Sequence, residues 1–150
     1  MKQVTVVGIG SPHGADQFGW QVIDNLKQYH AVQTLSYPRI QLIACDRPGL
    51  SLLEYIKGSS LAIIVDAIDG GKAGNIRCLQ QEQLMLNDQS ISTHYAGVAD
   101  ALQLGEKLKL LPDEVVLYGI EMGVNHDEID IYEAKVKQIA KLILSKIEES

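Results

Sequence analysis

The sequence predicts an α/β fold: a three-layer, mostly parallel twisted sheet with helices on both faces. Three observations carry that reading. Short aliphatic and β-branched runs alternate with longer stretches of helical periodicity, the order that yields parallel strands joined by right-handed crossovers. The clearest strand candidates are continuous Val/Ile/Leu runs, as in sheets covered on both faces. Aromatics are scarce, with one Trp, one Phe and six Tyr in 150 residues, so the core must be aliphatic. A chain of this length, 46% apolar and 21% charged, builds one domain and is too short for two comfortable ones, so residues 1–150 are read as a single domain.

The elements follow in order. Val4 to Ile9 is a β-branched run ending in Gly8-Ile9-Gly10, the first strand. Gly19 to Tyr29 places Val22, Ile23, Leu26 and Tyr29 at helical spacing. Gln41 to Cys45 reads as a strand, and Val32 to Leu35 as another candidate. Leu50, Leu53 and Ile56 mark a short helix. Leu61 to Val65 is the strongest buried strand and stops at Asp66. Gly74 to Leu79 is an additional strand candidate, with Ile76 and Cys78 on one face. Gly97 to Lys109 carries Val98, Ala101, Leu102, Gly105 and Leu108 on a helical stripe, and Pro112 closes that segment. Glu114 to Ile120 is the last strand. Val136, Ile139, Ala140, Ile143 and Ile147 form the apolar stripe of a final helix with lysines opposite.

Bulk properties remove several function classes. The net charge of −6 repels phosphate backbones and argues against nucleic acid as a partner. No apolar run approaches the ~20 residues that a membrane-spanning helix needs. Met1 to Val7 runs directly into a strand without a signal-peptide pattern, and Cys45 and Cys78 form no C-x-x-C pair. The cysteines read as small buried hydrophobes of a reducing compartment, and the expected location is cytoplasmic.

In open parallel sheets, ligands bind beyond the carboxyl ends of the strands. Three segments there carry candidate chemistry. The first is Gly8-Ile9-Gly10-Ser11-Pro12-His13-Gly14-Ala15-Asp16-Gln17-Phe18-Gly19, whose glycines imply tight turns and close backbone approach. It departs from the dinucleotide pattern G-x-G-x-x-G, with His13 where the third glycine belongs and no basic residue. A nucleotide-binding α/β domain is therefore a disfavoured alternative. Asp16 alone would be read as a helix cap. The second is Asp66, directly after the buried strand, where an ionised carboxylate needs a partner. Asp69, in Asp69-Gly70-Gly71, has a sufficient role in a turn.

The third is Ser92-Thr93-His94 before the helix at Gly97, where Ser92 or Thr93 would serve as caps. Two carboxylates and an imidazole on three loops of one sheet edge would make a metal site with open positions. Such donors suit zinc, nickel or iron alike. His13 is a further ligand candidate, though an exposed loop histidine is the simpler reading. His30 reads as a helix-end cation, and His126 as part of a solvated charged loop. No G-x-S-x-G elbow is present, and neither cysteine has a base nearby in sequence, which disfavours a serine or cysteine nucleophile.

Taken together, Gly8-Ile9-Gly10-Ser11 leading to Asp16-Gln17-Phe18-Gly19, then Val65-Asp66-Ala67-Ile68-Asp69, then Ser92-Thr93-His94 with Gly97, Asp100, Leu102 and Leu104, resemble the nickel-iron hydrogenase maturation endopeptidases. Gly119-Ile120-Glu121 fits as well, and the match runs through nearly the whole chain in order. Ser11, Ala15 and Met122 depart from the family pattern and point to a divergent branch. The resemblance implies removal of the C-terminal extension of a hydrogenase large-subunit precursor after nickel insertion. It also implies Asp16, Asp66 and His94 as the metal-contacting and catalytic residues. No cofactor-binding residues are implied beyond these. The nickel would be supplied by the precursor, and other divalent metals are compatible. Whether Asp16 and Asp66 act as ligand or as general base stays open. The missing acid at Ala15 motivates a second alternative, a non-catalytic metal-sensing maturation chaperone on the same fold.

Overall fold

The computed structural model describes residues 3–10, 17–29, 39–68, 70–85, 96–123 and 129–149. Five strands form one sheet. They are β1 (Gln3–Gly10), β2 (Arg39–Asp46), β3 (Leu61–Ile68), β4 (Ile76–Gln80) and β5 (Glu114–Glu121). Their spatial order is β2-β1-β3-β5-β4. All neighbours are parallel except β4, which runs antiparallel to β5 at one edge. The helices are α1 (Phe18–Gln28), α2 (Leu52–Ile56), α3 (Gln81–Met85), α4 (Ala96–Leu108) and α5 (Ile129–Glu149). A 3-10 turn, Gly49–Ser51, leads into α2.

The alternation of strand side chains builds two cores. Val4, Val6, Ile63, Val65, Val116 and Tyr118 face α1 and α5. Val7, Ile9, Ala62, Ile64, Val115 and Leu117 face α2, α3 and α4. Each strand thus contributes alternate residues to opposite layers. This is why Leu61-Ala62-Ile63-Ile64-Val65 is apolar throughout and almost wholly buried. The three-layer, mostly parallel architecture expected from the sequence is the one observed. α1 buries Phe18, Val22, Ile23 and Leu26 and stops at Tyr29, whose backbone turns extended. α5 buries Val136, Ile139, Ala140, Ile143 and Ile147, the stripe read from the sequence.

Several expectations shift. The strand expected from Gly74 begins at Ile76, because Gly74 has a φ of +88° and sits in a turn. α3 has no counterpart among the expected elements; only Leu84 of its five residues is buried, too little to show a period. Leu108, expected on the buried stripe of α4, is 54% exposed because the helix ends there, while Gly105 is buried. The candidate strand from Val32 to Leu35 lies outside the described residues.

Candidate active site

β1 and β3 lie side by side at the centre of the sheet, with Gly8 opposite Val65. The chain leaves β1 for β2 on one side and returns from β2 to β3 on the other. Such a switch in winding direction opens a crevice beyond the strand ends. Asp66 lines it from within β3, which does not stop at Asp66 as the sequence suggests but stays paired with β5 through Ile68. It is opposite Gly119 of β5, a neighbour with no side chain to crowd it. It is half-buried, and its Oδ1 accepts the Ala67 N–H at 2.8 Å. That bond fixes one oxygen, and a carboxylate can accept several bonds at once.

A cleft of about 250 Å3 opens beside Asp66. One wall is Ile9, next to the end of β1. Another is the turn Arg47-Pro48-Gly49 with Leu52, and the third is Gly97-Val98 at the start of α4. Two of these walls adjoin the segments that carry the other candidates. Ile9 precedes the loop holding Asp16, and Gly97 lies three residues after His94. Asp16, His94 and His13 themselves lie outside the described residues, as do Asp69, His30 and His126. Among the described residues, no three His, Cys, Asp or Glu side chains come together as a metal site.

The glycines of the first loop have a packing reason. A Cβ on Gly8 would overlap the Gly19 carbonyl and press on Ile23. A Cβ on Gly19 would overlap the Ile9 carbonyl and come within 2.9 Å of the Val65 carbonyl. Only a pair of glycines lets α1 start directly against the carboxyl ends of β1 and β3. This accounts for Gly8 and Gly19 without a phosphate. Trp20 fastens the same end of α1 to β2, its Nε1–H donating to the Cys45 carbonyl at 2.8 Å.

Cys45 approaches the site from β2. Burial, with the Asp66 and Asp46 carboxylates adding to it, pushes its thiol up to about 11. It is therefore a neutral thiol near pH 7. Glu121 serves the local structure, since its Oε2 accepts the Lys72 N–H at 2.7 Å and steadies the turn before β4. Met122 is buried, and its N–H donates to the Ile68 carbonyl at 2.8 Å. A proline, which the family pattern has here, could not make that bond.

The family model described as HycI, hydrogenase maturation protease, matches residues 20–149. The chain belongs to this protease family. The matched span includes Asp66 and His94 and begins after Asp16. HybD, the hydrogenase maturating endopeptidase from E. coli, is 21% identical and has a TM-score of 0.77. The similarity covers 99% of this chain and 93% of HybD. The solution structure of an endopeptidase from Escherichia coli is 22% identical over 99% and 93%, with a TM-score of 0.80. The maturation protease HycI from Thermococcus kodakarensis KOD1 is 21% identical over 99% and 94%, with a TM-score of 0.66. At such identities these structures speak for the fold alone. No curated relative matches the chain. Among the described residues, no helix is long and apolar enough to cross a membrane.

Sequence reasoning passes over Arg47. It becomes visible only because folding sets Arg47-Pro48-Gly49 across from Gly97, whose Cβ position lies 3.7 Å from the Gly49 Cα.

Proposed function

We infer that this member of the protease family removes the C-terminal extension of a nickel-iron hydrogenase large-subunit precursor in the cytoplasm, after nickel insertion. One observation carries the reading. Asp66, Ile9 at the end of β1 and Gly97 at the start of α4 meet in a single cleft at the switch point of the sheet. Each belongs to, or directly adjoins, a segment that holds one of Asp16, Asp66 and His94.

The donor chemistry fits a divalent ion. Asp66 brings a carboxylate, and carboxylate oxygens with an imidazole suit nickel or zinc. Asp16, Asp66 and His94 would hold the ion that the precursor brings, and a bound ion supplies Lewis acidity toward the scissile carbonyl. The remaining work falls to the chain. The apolar walls Ile9, Leu52 and Val98 exclude water from around the peptide and strengthen charge interactions inside. Gly97 and Gly49 admit its backbone closely. If Asp66 serves as the general base in place of a ligand, it takes the proton of the attacking water and returns it to the departing amine as the C–N bond breaks.

The test is precursor processing in vitro. Asp66→Asn keeps an acceptor for the Ala67 N–H, so it should leave the melting temperature nearly unchanged and lower processing ~100-fold or more. His94→Ala should do the same. Processing at the wild-type rate by both variants would sink the reading. Nickel-dependent association with the precursor but no shortened product would favour the non-catalytic metal-sensing chaperone instead.

A further inference from the structure

We propose that Arg47 binds a carboxylate beside the scissile bond, carried by the large-subunit precursor or by its cleaved product. The inference rests on the peptidase reading above and adds to it a recognition element. The described walls of the cleft carry two charged side chains, Asp66 and Arg47, and the rest are apolar or glycine. Arg47 is thus the one cation among the described residues of that wall, in a chain whose net charge is −6.

Its backbone is held in an uncommon conformation. Arg47 has a φ of +38°, the left-handed region that disfavours any residue with a Cβ. Its N–H reaches the Gly10 carbonyl at 3.3 Å, so the turn is pinned to the end of β1. Strain of this kind persists where the surroundings impose it, and it concentrates at functional sites. Glycine would fit the turn better, yet arginine stands there.

The guanidinium is engaged at one end only. Nε contacts Asp46 Oδ1 at 3.1 Å, and the side chain is 73% exposed. Among the described residues the two terminal nitrogens have no partner, and they form the fork that binds carboxylates in bidentate fashion. Asp46 therefore orients the group without saturating it. A carboxylate near the cut can come from two sources: an acidic side chain flanking the bond, or the new C-terminus that cleavage exposes.

Steady-state processing of the nickel-loaded precursor by wild type, Arg47→Gly and Arg47→Lys tests this. Arg47→Gly relieves the left-handed strain, so its melting temperature should equal or exceed that of the wild type. If an acidic side chain is the ligand, Arg47→Gly raises KM about tenfold with kcat within a factor of three. Neutralising that acid in the precursor abolishes the difference between the enzymes. If the new C-terminus is the ligand, KM holds, and inhibition by the mature subunit weakens about tenfold in Arg47→Gly. Arg47→Lys, which keeps charge and loses the fork, falls between. Unchanged KM and unchanged product inhibition in both variants overturn the inference while the peptidase reading stands. Failure of the wild type to cut overturns both.

Discussion

At the scale of single residues, the most constrained position is Gly19. Glycine inside a helix costs ~1 kcal/mol relative to alanine, so Gly19→Ala would ordinarily stabilise α1. Here the added methyl would press on the Ile9 amide nitrogen at 2.8 Å and the Val65 carbonyl at 2.9 Å, both rigid strand backbone. Overpacking against an immovable wall costs ~1–3 kcal/mol, which outweighs the propensity gain. We expect Gly19→Ala to lower the urea midpoint and to reduce processing more than its stability loss explains, because α1 would move away from Asp66. A midpoint at or above the wild type would show that the contact yields.

The opposite outcome is expected at the scale of elements, where α4 packs on α2. A Cβ on Gly105 would come within 2.6 Å of the Leu53 and Leu111 methyl groups. These are the far ends of flexible side chains, which can rotate away. The helical gain and the repacking cost then nearly cancel, and Gly105→Ala should stay within ~1 kcal/mol of the wild type in urea unfolding. A loss above ~2 kcal/mol would mean that the packing between α2 and α4 is tighter than side-chain mobility allows.

Elements with a strong periodic signal are legible in the amino-acid order alone: the buried stripe of α5 is as expected, and β1, β3 and β5 are found at their apolar runs, but β3 runs past Asp66 to Ile68, and α1 buries Phe18 and ends before Tyr29, which is only partly buried. α3 is not legible, because one buried leucine in five residues makes no period. The end of α4 misleads because Leu108 keeps helical spacing beyond the last buried position. Of the candidate site, Asp66 can be read because a carboxylate at the end of a buried apolar run needs a partner, although the strand itself continues to Ile68. Arg47 cannot, since its position depends on a turn meeting a distant helix, and no local pattern encodes that meeting.

For the molecule as a whole, stability falls at alkaline pH through Cys45, raised to about 11, and at the highest pH through Tyr118. Burial, with Cys78 beside it, pushes this phenol up to about 12 from its ordinary value of 10.0. A raised value means that the native state holds its proton more tightly than the unfolded chain. Its contribution is complete below pH 10 and is lost as pH rises toward 12. The loss over that window is ~2 kcal/mol. Urea midpoints between pH 9 and 12 should fall, and Tyr118→Phe should flatten the fall between 10 and 12. An equal slope in the variant would assign the alkaline loss to other groups.

The strand order β2-β1-β3-β5-β4 also sets a timetable. β1 is made first, yet its second neighbour, β3, ends only at Ile68. The cleft further requires Gly97 and Val98 from α4. Its walls are therefore drawn from positions nearly ninety residues apart, between Ile9 and Val98. Sequence-distant pairings form slowly, since chain closure must precede the contacts that reward it. A ribosome-bound chain halted after β3 would own Asp66 but not the cleft that Asp66 lines. The peptidase thus comes into being late in its own synthesis, after nearly three-quarters of the chain has emerged and α4 has docked.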